Sequence, residues 1–211
     1  MNKKGILFDL DGTLINTYEN IDYKQAFAEL KSVQKTLILK VLKSRVKSFA
    51  DMERKILENA DDPATAIELV QRISLFLMTH YDHAPLKKDA LTFLQYLKQK
   101  DYKICLCTNN ATDVVSHILK EKNLTEYFDY VITSQQVTKS KPDPQMYLEA
   151  LNYLQLSSKE CIVFEDTENG VIAAHNAGID VIVVKDKEKR KFSTCDMIIK
   201  DYGDDRLYTI F

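Results

Sequence analysis

The sequence predicts an α/β protein in which a parallel sheet forms the core and an all-helical domain is inserted after the first strand. A short apolar segment, Gly5–Phe8, opens the chain, and a long stretch with helical periodicity follows it. From Pro85 onward, apolar segments alternate with amphipathic helices. Such alternation is typical of a parallel sheet that is covered by helices on both faces. We therefore predict a core domain of residues 1–16 and 85–211 and a helical domain of residues 17–84.

The first strand is predicted at Gly5–Phe8, because this segment is short and apolar and Gly12 marks a turn after it. A strand of this length is not stable alone, so it must join the sheet that the later strands form. The residues between this strand and the later ones are therefore an insert.

The insert is predicted to be helical throughout. The sequence has no glycine from Thr13 to Asn169, so few of its positions adopt positive φ easily. Apolar residues recur at spacings of three and four. They predict helices at Ile21–Leu30, Val33–Val46, Met52–Leu57 and from Pro63, at a first helical position, to about His80. The junctions with the core are expected near Ile15–Thr17 and Tyr81–Pro85.

After the insert, four apolar segments predict strands, and each follows an amphipathic helix. The strands are Lys103–Cys107, Tyr130–Thr133, Cys161–Phe164 and Val181–Val184. The helices are Lys88–Lys100, Asp113–Lys122, Gln145–Leu154 and Asn169–Ala177, the last of which Gly178 ends.

The composition excludes several classes of partner. The formal net charge of -2 gives no general reason to expect nucleic acid or an anionic membrane. No apolar run approaches the ~20 residues that span a bilayer, and the apolar residues near the N-terminus are too few for a signal peptide. The four cysteines need no disulfide framework in a chain of 211 residues. We expect a cytoplasmic protein with reduced thiols.

Two carboxylates follow the first strand. Asp9 and Asp11 would share one face if the strand continued, and such a pair repels by about 4 kcal/mol at ~4 Å for an effective dielectric constant near ~20. A fold carries that cost only if a cation or a proton offsets it. The alternative is a plain strand-to-turn junction, since Asp and Gly are common in turns.

Polar residues also follow the other predicted strands. Thr108-Asn109-Asn110 follows the second strand, and Glu165-Asp166 follows the fourth. The loop after the third strand contains Lys141-Pro142-Asp143-Pro144. In open α/β sheets, ligands bind at the carboxyl ends of the strands. These clusters therefore predict a ligand site at that edge.

Four motifs in order carry a family resemblance. They are DLDGT at 9–13, TNN at 108–110, SKPDP at 140–144 and FEDTENG at 164–170. The chain resembles the haloacid dehalogenase superfamily of phosphohydrolases, and more closely the phosphoglycolate phosphatase and β-phosphoglucomutase-like members with a helical cap after the first motif. The resemblance implies a Rossmann-like core.

The resemblance also implies roles for these residues. Asp9 would be the nucleophile that forms an aspartyl-phosphate, and Asp11 would be the general acid and base. Gly12 and Thr13 would turn the backbone so that amide groups face the phosphoryl oxygens. The phosphate would also meet the donors of Thr108 and Asn109 and the positive charge of Lys141.

A magnesium site is implied at the same place. Its ligands would be Asp9, Asp166 and the backbone carbonyl of Asp11, with Glu165 as a direct or water-mediated partner. Hard oxygen ligands and a phosphate substrate suit Mg²⁺, which keeps several waters. Mg²⁺ and Lys141 would compensate the charge of the four carboxylates.

The sequence thus predicts a Mg²⁺-dependent phosphatase that hydrolyses a small phosphorylated metabolite. A phosphosugar mutase of the β-phosphoglucomutase type is the first alternative, and a non-catalytic phosphate-binding regulatory protein is the second. Asp11 argues against dehalogenation, because by the family pattern the dehalogenases lack the second Asp of the first motif.

Overall fold

The structure is a computed structural model that describes residues 3–17, 28, 30–44, 49–185, 192 and 194–211, without the side chains of 49 and 50. At its centre lies a single parallel sheet. Its strands lie in the order β3-β2-β1-β4-β5-β6. They are β1 (Gly5–Phe8), β2 (Lys103–Cys107), β3 (Tyr130–Ile132), β4 (Cys161–Glu165), β5 (Asp180–Val184) and β6 (Met197–Ile199). This is the order of a Rossmann-like sheet, and its direction of winding reverses between β1 and β4. The predicted fold class is confirmed.

The register brings the carboxyl ends of the central strands level with one another. Phe8 pairs with Leu106 of β2 on one side and with Phe164 of β4 on the other. The residues that follow these three therefore emerge along one edge. That edge lies at the reversal of the sheet, where ligands bind in this architecture.

Three helices of the insert follow β1 in the described part of the chain. They are α1 (Ser32–Lys43), α2 (Phe49–Asn59) and α3 (Pro63–His83). They pack around an apolar cluster of their own, formed by Leu37, Ile38, Val41, Ile56, Ala66 and Leu69. The helix predicted at Ile21–Leu30 lies almost wholly outside the described residues. We refer to the predicted helical domain as the cap.

The helix α3 begins as the sequence predicts. Asp62 is its N-cap and accepts hydrogen bonds from the amides of Ala64 and Thr65, and Pro63 occupies the first helical position. Such an arrangement satisfies backbone donors that the first turn of a helix leaves without partners.

The two segments predicted to join the cap to the core lie side by side. Ile15 bridges to Leu86, and the Asn16 amide donates to the Pro85 carbonyl at 2.8 Å. The Lys87 amide donates to the Leu14 carbonyl, also at 2.8 Å. The chain therefore leaves and re-enters the core through one hydrogen-bonded pair of segments.

The remaining helices cover the two faces of the sheet. They are α4 (Ala90–Gln99), α5 (Thr112–Glu121), α6 (Gln145–Leu154), α7 (Glu168–Asn176) and α8 (Leu207–Ile210). Side chains of β1 alternate between two cores, with Ile6 and Phe8 in one and Leu7 in the other. Phe93 of α4 packs in the first core and Tyr147 of α6 in the second. Both faces of β1 are buried, as its continuous apolar sequence predicts.

The structure adds one strand that the sequence analysis did not predict. Met197–Ile199 forms β6 at the edge of the sheet, where it pairs with β5. Three residues are too few to show a periodic pattern. This segment is a strand because it pairs with Val183 and its neighbours in β5. None of the described helices is long and apolar enough to cross a membrane.

Candidate active site

The backbone turns sharply where β1 ends. Gly12 has φ of 76°, a left-handed conformation that glycine adopts without a steric penalty. Its amide donates to the Ile15 carbonyl at 2.7 Å. The turn leaves Asp9 and Asp11 at the carboxyl edge of the sheet, and the Asp9 amide donates to the Phe164 carbonyl of β4 at 3.0 Å.

Lys141 lies at the centre of the site, and its ammonium uses all three of its protons. It donates to Asp9 Oδ1 at 2.8 Å, to Glu165 Oε1 at 2.6 Å and to the Cys107 carbonyl at 2.8 Å. The ammonium also lies 4.9 Å from the centre of the Tyr147 ring. Lys141 thus joins the ends of β1, β2 and β4.

Burial and charge act in opposite directions on Lys141. Burial lowers the pKa of Lys141, but the carboxylates of Asp9 and Glu165 outweigh it and hold that pKa well above its usual value. Burial, together with the negative charge of Glu165, raises the pKa of Asp9 well above its ordinary value, and Lys141 opposes this rise. The site therefore holds a permanent cation next to a carboxylate that needs positive charge.

Glu165 is buried completely and accepts five hydrogen bonds. Lys141 and the Tyr147 hydroxyl, at 2.9 Å, donate to Oε1. The amides of Asp166 and Thr167 and the Thr167 hydroxyl donate to Oε2 at 3.0 to 3.2 Å. A carboxylate offers about four lone-pair positions, so these donors use the capacity of both oxygens. The contacts favour a role for Glu165 in holding Lys141 and the β4–α7 turn.

Gly170 of α7 makes room for that carboxylate. A Cβ atom on Gly170 would lie 1.8 Å from Cδ of Glu165, which is far inside van der Waals contact. The last residue of the FEDTENG motif therefore packs directly against the Glu165 carboxylate.

Three carboxylates come together at the reversal point of the sheet. One oxygen from each of Asp9, Glu165 and Asp166 lies within 4.8 Å of the others, and all three residues are buried. Thr13 Oγ1 lies 3.5 Å from Asp166 Oδ1. Asp9 and Asp166 offer hard oxygen donors that suit a divalent cation such as Mg²⁺, and Glu165, whose oxygens are already hydrogen-bonded, adds negative charge beside them.

The second strand brings Thr108 and Asn109 to the same edge. Thr108 is buried, and its hydroxyl accepts from the Asn110 amide at 3.2 Å. The side-chain oxygen Oδ1 of Asn109 is buried and has no hydrogen-bond partner among the described residues. This oxygen can only accept a hydrogen bond, so any donor that Asn109 offers is one of its N–H groups.

Comparison with known proteins decides the family. Residues 6–184 match the sequence profile of the family described as haloacid dehalogenase-like hydrolase. The chain belongs to this family. The putative pyrophosphatase PpaX of Clostridium perfringens (strain 13 / Type A) is 30% identical over 187 residues, which cover 86% of this chain and 84% of that protein. The predicted family and the prediction of a hydrolase are confirmed.

Solved structures share the fold of this hydrolase. CbbY from Rhodobacter sphaeroides in complex with phosphate has a TM-score of 0.74 at 20% identity, and the match covers 96% of both chains. A putative β-phosphoglucomutase from Thermotoga maritima has a TM-score of 0.70 at 22% identity and covers 95% of this chain and 94% of that one.

Two residues to which the sequence alone assigned no function, Tyr81 and Asn110, contact Asp11. The Tyr81 hydroxyl donates to Asp11 Oδ1 at 2.5 Å, and Asn110 Nδ2 donates to Asp11 Oδ2 at 2.5 Å. Burial raises the pKa of Asp11, and the hydrogen bond from Tyr81 opposes that rise. Asn110 stands in the TNN motif, so its position was available from the sequence. Tyr81 belongs to a helix of the cap and carries no motif.

A cleft of about 650 Å³ lies between the cap and the loop that contains Lys141. Asp51 and Arg54 of α2 form one wall, and Ser140 and Pro142 form part of the other. Its lining includes neither Asp9, Lys141 nor Asp166, so the cleft adjoins the Lys141 loop and is separate from the carboxylate cluster.

Proposed function

We propose that this hydrolase is a Mg²⁺-dependent phosphatase that cleaves a small phosphorylated metabolite through an aspartyl-phosphate on Asp9. The observation that carries the proposal is the contact of buried Asp9 with the Lys141 ammonium, next to Asp166. An ammonium, the carboxylate proposed as nucleophile and a further hard-oxygen donor thus lie together at the reversal point of the sheet, which supports the proposal.

In the first step, a carboxylate oxygen of Asp9 attacks phosphorus while the bond from phosphorus to the ester oxygen breaks. Asp11, in its protonated form, gives its proton to the departing oxygen. In the second step, Asp11 takes a proton from a water molecule that attacks phosphorus. The phosphate leaves, the Asp9 carboxylate is restored and Asp11 is protonated again.

The phosphoryl group would lie between the β1 turn and the end of β2. Thr13 would supply a donor on one side and Thr108 and Asn109 on the other, while Gly12, whose amide donates to the Ile15 carbonyl, would shape the turn. Lys141 would neutralise charge on the phosphoryl oxygens, because its positive charge is fixed close to Asp9.

Asp9, Asp166 and the backbone carbonyl of Asp11 would hold the metal, with Glu165 as an indirect partner. The five hydrogen bonds that Glu165 accepts favour this indirect role. When bound, Mg²⁺ supplies positive charge that stabilises the phosphoryl oxygens and the attacking carboxylate.

The substrate is proposed to be small because Asp9, Lys141 and Asp166 are all buried, so the group that reaches them must be compact. The cap, residues 17–84, would move against the core to exclude water during transfer. The name of the Clostridium perfringens relative adds pyrophosphate to the candidates.

The test is a screen of phosphorylated compounds with Mg²⁺ that follows released phosphate. It includes an aryl phosphate, pyrophosphate, phosphoglycolate and sugar phosphates. We expect turnover that EDTA abolishes, that Mg²⁺ restores and that Asp9→Asn removes. Asp143→Asn is the matched control: Asp143 Oδ1 accepts from the Gln145 amide at 3.0 Å and serves the loop.

Two outcomes would contradict the proposal. Mg²⁺-dependent turnover that survives Asp9→Asn would exclude the aspartyl-phosphate route. Conversion of a sugar 1-phosphate into the 6-phosphate without net release of phosphate would establish the mutase instead.

A further inference from the structure

The last turn of α3 places one cap side chain directly on Asp11. Tyr81 is only 5% exposed, and its hydroxyl lies 2.5 Å from Asp11 Oδ1. Asn110 Nδ2 lies 2.5 Å from Asp11 Oδ2 and 2.9 Å from the Tyr81 oxygen. The three side chains therefore form a closed ring of hydrogen bonds.

The chemistry of the groups fixes the direction of each bond in the ring. An amide nitrogen can only donate, so Asn110 gives one proton to Asp11 and the other to the Tyr81 oxygen. The Tyr81 hydroxyl then has its own proton left for Asp11 Oδ1. Oδ1 of Asp11 thus accepts a bond from Tyr81 and Oδ2 accepts one from Asn110, and these two bonds restrict rotation of the carboxylate.

Neighbouring residues fix this turn of α3 at two further points. His80 Nε2 lies 2.7 Å from the Thr17 carbonyl, and Asp82 Oδ1 lies 2.7 Å from His117 Nε2 of α5. Three consecutive residues of the cap helix therefore contact three different parts of the protein outside that helix. The position of the Tyr81 hydroxyl therefore depends on how this end of α3 packs against its neighbours.

We propose that Tyr81 is a positioning residue that, with Asn110, orients the Asp11 carboxyl group for proton transfer to the leaving oxygen. Because Tyr81 lies on α3, this orientation depends on how the end of α3 packs in the protein. The inference rests on the proposed function, in which Asp11 is the general acid. Asp11 gives its proton to the ester oxygen as the bond from phosphorus to that oxygen breaks, and Tyr81 exchanges no proton with substrate.

The test compares phosphate esters whose leaving groups differ in basicity. An aryl phosphate such as p-nitrophenyl phosphate expels a stable phenolate and needs little help from an acid, whereas an alkyl phosphate expels a basic alkoxide. General acid catalysis contributes about 10²–10⁴-fold, and a misoriented acid loses part of it. For Tyr81→Phe we expect kcat/KM to fall about 10-fold or more with alkyl phosphates and less than about 3-fold with the aryl ester.

Tyr96→Phe is the matched control. Tyr96 lies on α4, and its hydroxyl donates to the Phe211 carbonyl at 3.0 Å, away from Asp11. This variant also loses one hydroxyl, so we expect the same leaving-group dependence as in the parent protein. Thermal unfolding of both variants shows whether the Phe side chains are accommodated in the fold.

A double-mutant cycle separates positioning from general damage. Asp11→Asn removes the acid, so adding Tyr81→Phe to it must cause no further selective loss with alkyl phosphates. An equal loss with both ester classes, or an additive loss in the Asp11→Asn background, would overturn the positioning role. If Asp11→Asn itself leaves alkyl turnover intact, the acid assigned in the proposed function is wrong and the inference falls with it.

Discussion

Lys141 Nζ lies 2.8 Å from Asp9 Oδ1, and the two side chains are only 3% and 12% exposed. The pair connects a strand end to a loop more than a hundred residues later in the chain. Because both groups are removed from water, each depends on the other for compensation of its charge. Glu165 shares the same ammonium, so one lysine balances two carboxylates.

Replacing Lys141 by Met is expected to damage both activity and stability. The variant leaves Asp9 and Glu165 buried beside each other, and breaking a buried ion pair in this way costs about 3–5 kcal/mol. Loss of the cation that stabilises the phosphoryl oxygens lowers kcat/KM by about 10²–10³-fold. Urea denaturation without divalent metal and phosphatase assays with Mg²⁺ measure the two effects.

Lys139→Met is the control for Lys141→Met. The side chain of Lys139 is 73% exposed and lies 3.7 Å from Asp143. An exposed pair of this kind contributes less than about 1 kcal/mol. Equal losses of stability in the two variants would show that the buried ion pair is not important.

Gly170→Ala is expected to destabilise the protein although alanine favours helices. The added Cβ would lie 1.8 Å from Cδ of Glu165, so the carboxylate or α7 must move. Overpacking typically costs about 1–3 kcal/mol, more than the ~1 kcal/mol that alanine gains over glycine in a helix. Movement of Glu165 also displaces Lys141, so activity falls together with stability. Urea denaturation and the phosphatase assay measure the two losses.

Gly203→Ala provides the comparison for Gly170→Ala. Its Cβ would lie 2.5 Å from Oδ2 of Asp89, at the end of a flexible side chain that can turn toward solvent. We expect a much smaller loss of stability. If the two variants unfold at the same urea concentration, Glu165 tolerates displacement and the close packing has no functional meaning.

The core of the fold could be predicted because its central strands are apolar on both faces. Cys161–Glu165 shows this directly, since all five of its residues are buried. The edge strand Met197–Ile199 could not be predicted in this way. It has one buried residue, and its pairing with β5 comes from the tertiary structure.

The residues of the candidate site that lie at strand ends could be predicted from the sequence. Asp9, Thr108 and Asp166 directly follow or nearly follow apolar strands, so the parallel sheet brings them together. The Tyr81 contact with Asp11 depends instead on where a long cap helix ends relative to the core. Helical periodicity shows which face of that helix is apolar, but not which atom its last turn reaches.

The reactivity of the cysteines is expected to follow their burial. Cys105, Cys107 and Cys161 are free and buried, whereas Cys195 is partly exposed. Burial raises the pKa of Cys161 to about 12, so its thiolate is scarce at pH 8. We expect iodoacetamide to modify Cys195 first in the native protein. Peptide mapping by mass spectrometry, with urea-denatured protein as the control, measures this; Cys161 reacting as fast as Cys195 would contradict it.

The N-cap of α3 is expected to make the stability of the cap depend on pH in the acidic range. The hydrogen bonds that Asp62 accepts, first from the Thr65 side chain and then from the amides of Thr65 and Ala64, lower the pKa of Asp62 below its ordinary value of 3.8. A carboxylate whose pKa is lowered by folding contributes stability when the pH is above its pKa in the unfolded chain. That contribution disappears as the pH falls through its pKa in the folded protein.

Asp62→Asn keeps a hydrogen-bond acceptor but does not titrate. Between pH 6 and pH 3, the difference in thermal unfolding midpoint between the parent protein and this variant should therefore shrink, with the change falling below pH 3.8. A difference that stays constant over this range would mean that the Asp62 hydrogen bonds do not stabilise the start of the helix.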